Sequence, residues 1–292
     1  MPLDTSAVGL SLTPYRAEVD ARFLMAYAAG LGHSESHYFD TSSEDGILNH
    51  PMFPIAPEWG LLTSPDAGME RLGLTASEAV RGVHAHHDMQ VHRSIPAGTT
   101  ATVTAKVIGA VRTKAGALMS LRFDGADPDG ALWTTWMGSM YRGVDVIGDG
   151  ALVEAPPARP PGAQHDEGWS TSIDIATWAP HAYSECSRIW NPIHTDLAVA
   201  RKAGLDTVIL HGSASLAHGV DWAMTVAGAR PDQVRRIGAS FRATVPVPSR
   251  IRPVVHAIDE VDDAQVVHFS VLNHAGEAAV RDAFVVIGAG RS

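Results

Sequence analysis

Residues 183–212 read YSECSRIWNPIHTDLAVARKAGLDTVILHG. Asn191 and His194 lie within four residues around Pro192, which biases the residue before it toward extended or turn geometry. At a helix-to-loop junction this cluster presents an amide and an imidazole together. Leu197, Ala198, Ala200 and Arg201 then suit a short helix, and Ala203-Gly204 suits its end. The apolar Val208-Ile209-Leu210 leads into His211-Gly212 and a small-residue helix, SASLAHGVDWAM. A glycine that opens a helix leaves backbone N–H groups free to hold an oxygen that gains negative charge.

The strings NPIHTD, A-x-x-x-G ending at Gly204, and ILHG resemble the MaoC-like, (R)-specific enoyl-CoA hydratase family. That resemblance implies a hot-dog fold, a long helix wrapped by a curled antiparallel sheet. It implies an Asp-x-Asn-Pro-x-His motif whose Asp–His pair activates water. It also implies that the glycine of the later His-Gly pair stabilises a thioester enolate through its N–H. Asn191, His194 and Gly212 match, but the place of the aspartate, two before Asn191, holds Ile189. His211, Ser213, Ile189, Tyr183 and Arg201 are the expected substrate-binding positions.

A missing carboxylate needs a substitute if two groups are to activate water. Glu185 lies four residues before Ile189, and residues four apart share a face if 183–190 is helical. Glu185 is therefore the candidate replacement, with an exposed helix position as its bland alternative. Asp196 either orients the His194 ring or caps the helix at Leu197, and capping is the simpler role. Asn191 holds the loop or a water through its amide, or simply forms a turn before proline. An isolated histidine is usually structural, but Asn191, Pro192 and His211-Gly212 turn His194 into an acid/base candidate, whose ordinary pKa suits proton transfer.

Upstream, ALVEAPPARPPGAQHDEG (151–168) carries four prolines and no periodicity, and reads as a linker. It separates an N-terminal half, 1–150, from a C-terminal half, 169–292. The halves repeat one pattern: VHRSIPAG parallels SFRATVPV, DPDGALW parallels NHAGEAAV, and each half closes on V-I-G-x-G. In the first half VDARFLMAYAAGL (19–31) has helical spacing, residues 33–58 read as a long loop, and the stretch from Val83 alternates as a meander. Val103, Ala105 and Val107 belong to one face, and Trp133 and Trp136 to opposite faces. Two such α+β units side by side can share one sheet. With the resemblance, the expected fold is α+β, a double hot-dog of two homologous halves. The first half lacks NPxH, so its expected task is to shape an acyl or CoA pocket.

Composition narrows the partners. The chain has 292 residues and a formal charge of −10, which disfavours nucleic-acid binding through a basic surface. Arg201-Lys202 and Arg235-Arg236 are the candidate local clusters for an anionic CoA, or else solvated surface. The single cysteine, Cys186, excludes an intrachain disulfide. No basic-then-apolar leader and no membrane-length apolar run appear, so a cytoplasmic location is expected. Histidines 33, 37, 84, 86 and 87 invite a metal, but no thiol or H-E-x-x-H joins them, and no metal site is expected. Gly-Ser-Ala-Ser at 212–215 lacks the nucleophile-elbow pattern, which disfavours a serine hydrolase. The resulting expectation is a hydratase or dehydratase acting on the double bond of an enoyl-CoA or related acyl thioester. It needs no cofactor beyond the CoA of its substrate and works as a monomer or homodimer. The alternatives are a degenerate thioester-binding protein, or the same fold with altered chemistry such as a thioesterase or polyketide-type dehydratase.

Overall fold

The computed structural model describes residues 3–43, 46–72, 82–162 and 168–288. The C-terminal half begins with a short strand, β10 (Ile173–Ile175), and helix α4 (Ala179–Ser187). It continues through α5 (Leu197–Lys202) and α6 (Gly212–Ala227) to four strands: β11 (Val234–Phe241), β12 (Ser249–Val261), β13 (Ala264–Leu272) and β14 (Ala278–Gly288). The N-terminal half runs in the same order: β2 (Tyr15–Val19), α1 (Ala21–Gly30), α2 (Ser36–Phe39), α3 (Ile55–Thr63), then β3 (Gly82–Val91), β4 (Thr99–Thr113), β5 (Gly116–Asp127) and β6 (Gly130–Arg142). Short pairs complete it: β1 (Leu3–Asp4) lies parallel to β7 (Val146–Ile147), β8 (Ala151–Leu152) joins β4, and β9 (Trp169–Ser170) joins β12.

The two halves share one twelve-stranded sheet, ordered β10-β12-β13-β14-β11-β3-β6-β5-β4-β2 with β8 and β9 on its flanks. The seam is antiparallel, with Ile237 opposite Met89 and Gly238 opposite Asp88. Period-two patterning makes one face of this sheet apolar. Val103, Ala105 and Val107 are all buried, while Trp133 and Trp136 bury on opposite faces. Buried helix residues cover the apolar face, which is the reason two units close on each other.

α6 is the long helix of its half. Gly219 lets it lie against β13, because a Cβ there would sit 2.4 Å from the Phe269 ring. The corresponding helix of the first half is not the apolar α1. α1 instead packs on α4, its counterpart, with Gly30 facing Cys186. The counterpart of α6 is α3, which precedes β3 as α6 precedes β11 and packs on β2 and β4. It starts inside the stretch read as a loop. The sequence conceals it because Pro54 and Pro57 look like helix breakers, whereas a proline in the first turn gives up no helical hydrogen bond. The first half therefore carries a helix of nine residues where the second has sixteen.

The segment after β8 crosses the sheet face opposite the helices. Glu154 accepts from Arg122 and from the Trp136 indole. The carbonyls of Pro157 and Ala158 accept from Arg236. Arg236 also forms a bidentate pair with Asp88 across the seam, at 2.7 and 2.8 Å, with both side chains buried.

Candidate active site

α4 ends abruptly. Arg188 adopts a left-handed conformation at φ 59°, and its N–H closes on the Ser184 carbonyl. The chain then enters the turn Pro192–His194, where the Asn191 side chain accepts from the Ile193 N–H. Asp196 caps α5 by accepting from Ala198 and Val199. The following apolar run is held in place by two backbone bonds, Leu210 N–H to Val245 and Val247 N–H to Val208. These two anchored segments bring His194 against Ile209.

His194 Nδ1 donates to the Ile209 carbonyl at 2.8 Å. That bond assigns the proton to Nδ1 and leaves Nε2 as the basic nitrogen. The ring stacks on His211, with centroids 3.7 Å apart. Burial pushes the His194 pKa down to about 4, partly offset by the Ile209 bond, so the ring is neutral at pH 7. Burial and the neighbouring His194 lower His211 as well. His211 Nε2 lies 3.1 Å from Ser184 Oγ and 3.3 Å from the Ile189 carbonyl.

His211 is the N-cap of α6 and its side chain caps nothing, so the first N–H groups, from Gly212 onward, remain for a ligand. A side chain at Gly212 would press on Phe241 at 3.2 Å. Ser213 Oγ accepts from Tyr183, whose hydroxyl also lies 3.1 Å from Tyr27. Its hydroxyl is thereby committed to a buried chain of hydroxyls.

These residues open on a cavity of about 510 Å³. Ile189, Asn191, His194, His211, Gly212 and Ser213 all line it. Three expected site residues do not. Glu185 is exposed on α4, because the left-handed Arg188 breaks the helix before Ile189 and removes the shared face. It is not the replacement carboxylate. Arg201 is exposed on α5, and Tyr183 is buried behind Ser213. Of the expected basic clusters, Arg236 is spent on Asp88. The cationic residues at the cavity are instead Arg142 and Arg242, both exposed.

Sequence reasoning missed Glu58. It sits on α3 in the apolar run IAPEWGLL, is 1% exposed and lines the cavity from the N-terminal half. The Trp133 indole donates to its Oε1 at 2.9 Å. Burial drives its pKa up to about 8, with Thr135 and Trp133 pulling the other way. A glutamate inside an apolar helix is the one signal that could have singled it out, and the helix itself was hidden. His84 also lines the cavity from β3, its ring 4.4 Å from Phe241.

A separate cluster forms between the halves: ligand atoms of His33, His50 and Asp221 lie within 4.8 Å of one another. Met52 N–H donates to His50 Nδ1, so His50 Nε2 carries the proton that it gives to Asp221 at 2.9 Å. Both nitrogens of His33 face carboxylates, Glu35 and Asp221. Burial opposes its charge, but those carboxylates raise its pKa overall. The set is a closed hydrogen-bond network, in which a metal would have to displace a proton from His50 and break the Asp221 bonds.

Residues 170–278 match the model of the MaoC like domain. No curated protein matches the chain significantly. A MaoC-like dehydratase from Phytophthora capsici superposes with a TM-score of 0.81 at 20% identity, over 97% of each chain. Peroxisomal multifunctional enzyme type 2 from Drosophila melanogaster gives 0.74 at 20% identity over 95% of this chain, which spans 48% of that enzyme. A Mycobacterium tuberculosis protein described as having a double hotdog fold gives 0.60 at 15% identity, over 96% of this chain and 97% of that one. The chain is thus a double hot-dog protein whose C-terminal half, with NPIH and His211-Gly212, matches the MaoC like domain.

Proposed function

We propose that this chain is an acyl-thioester hydro-lyase, adding water to or removing it from the double bond next to the thioester. One observation carries the reading. A neutral imidazole with its basic nitrogen free shares a cavity with the open N-terminus of α6. In the dehydration direction His194 Nε2 takes the proton from C2 of a 3-hydroxyacyl thioester. The electron pair moves toward the thioester carbonyl, whose oxygen gains negative charge at the Gly212 N–H. As the enolate collapses, the C3–O bond breaks, and the imidazolium returns its proton to the departing hydroxyl. The products are water and the enoyl thioester. Hydration runs through the same atoms in reverse. With Ile189 apolar and buried, the proton transfers fall to His194 alone. The exposed guanidinium groups of Arg142 and Arg242 suit the phosphates of CoA, which arrives as part of the substrate.

The same replacement by Ile189 favours a second reading, a thioester-binding protein or altered thioester chemistry, since losing one partner of an acid/base pair costs orders of magnitude in rate. A panel of short, long and dicarboxylic trans-2-enoyl-CoA thioesters decides between them. Loss of the enoyl absorbance reports hydration and release of free thiol reports hydrolysis. Hydration that vanishes in His194→Ala is the expected result. No hydration of any member by folded protein rejects the hydro-lyase, and thiol release in its place identifies a thioesterase.

A further inference from the structure

The wall that the N-terminal half gives to the cavity holds polar groups with no partner among the described residues. Glu58 Oε2, Trp59 Nε1 and His84 Nε2 are enclosed and unbonded, and all three residues line the cavity. Behind them both nitrogens of His87 are also unbonded, and the His87 ring stands edge-on to His84 at 5.3 Å. An unsatisfied buried polar group costs about 1–3 kcal/mol, and such groups are few in a native interior. Most of those among the described residues gather on or behind one wall of one cavity. A plain alkyl chain laid against this wall would leave every one of them unpaired.

We infer that this wall is a polar subsite, and that the acyl group it accepts carries a neutral oxygen function, a hydroxyl or ketone, beyond the reacting carbons. The donor and acceptor types fit such a group. Trp59 offers an N–H and can only donate. Burial holds Glu58 in its acid form and His84 in its neutral form at pH 7, so each can donate or accept. A hydroxyl or carbonyl oxygen accepts from Trp59 and exchanges a further bond with Glu58 or His84. A carboxylate at the same place would add a second buried acid beside Glu58, while the cation this half brings to the cavity, Arg142, is exposed, which disfavours a diacid. The inference rests on the proposed thioester substrate and narrows it to oxygenated chains.

The test uses the full chain and matched CoA thioesters of several chain lengths, each as the plain alkyl form and as the ω-hydroxy form. Binding of the saturated, unreactive members is measured by calorimetry, so the result stands even if the chain turns over no thioester. At one length the hydroxylated member should bind at least ~10-fold more tightly than its alkyl partner, because a site built to bond a hydroxyl rejects the analogue without one. Trp59→Phe keeps an aromatic ring, though a smaller one, and removes the N–H, and should collapse that preference. Glu58→Leu should tighten binding of the alkyl member, a gain that misfolding cannot mimic. Alkyl members that bind as well as or better than their hydroxylated partners at every length would overturn the inference. So would a preference that neither variant changes.

Discussion

His194 owes its chemistry to three neighbours. The Ile209 carbonyl selects its tautomer, His211 covers one ring face, and burial keeps it unprotonated. Replacing it by alanine should lower kcat by ~10²–10⁴-fold, the range of a lost general acid/base, without a comparable change in substrate affinity. Steady-state kinetics with a thioester that the wild type turns over checks this. Glu185→Gln, by contrast, should leave kcat and KM unchanged, because the side chain points to solvent. The pH profile is a sharper test. A base with its pKa held near 4 works above that value and is lost as pH falls through it. The acid limb of kcat/KM should therefore lie near pH 4 rather than at the ordinary histidine value of 6.5. A limb near 6.5 would mean that His194 is not held as the structure shows.

At the level of elements, α6 does two jobs: it opens on the cavity with bare N–H groups and lies tightly against the sheet. Its glycines divide these jobs. Gly219→Ala would force a methyl into Phe269 and Val271, at 2.4 and 2.8 Å. It should destabilise by about 1–3 kcal/mol, as overpacking does, and a lowered midpoint in urea unfolding would show it. Gly212→Ala meets Phe241 at 3.2 Å, a milder clash at the point where the thioester oxygen is to be held. Its effect should fall on kcat more than on stability. Motif residues were legible because each occupies a local turn or cap: Asp196 and Asn191 bond to backbone two or three residues away. Glu185 was misread for a local reason too, since nothing in SECSRI announces that Arg188 leaves the helix.

Across the whole molecule, the halves are joined by backbone pairing along β3–β11, by the His33–His50–Asp221 network and by the buried Asp88–Arg236 ion pair. Asp88→Ala would leave the Arg236 guanidinium buried with only carbonyl partners, and should cost about 3–5 kcal/mol. Differential scanning calorimetry should then show a lowered Tm. Stability should also depend on pH through the histidines. His84, His87, His194, His211 and His218 all have folded pKa values below the ordinary one, principally through burial. Unfolding releases them to take up protons as pH falls through about 6.5, so each loses stability on acidification from there down to its folded value. Glu58 runs the other way, since its raised pKa favours the fold at low pH and loses that advantage as pH rises toward 8. Seven imidazoles are lowered, His37 and His86 included, against the raised Glu58, Asp88 and His33, and Tm should fall between pH 7 and pH 5.

Strand alternation, the repeated halves, the NPIH turn and the HG helix start are written in the chain, because each is a pattern within a few residues or a repeat of one. Their consequence, a double hot-dog with a MaoC-like C-terminal half, follows from them. What only the tertiary structure decided is which side chains share the cavity. Glu58, Trp59 and His84 reach it from α3 and β3, more than a hundred residues before His194. Sheet pairing at the seam puts them there, and no local spacing records a contact made across two halves.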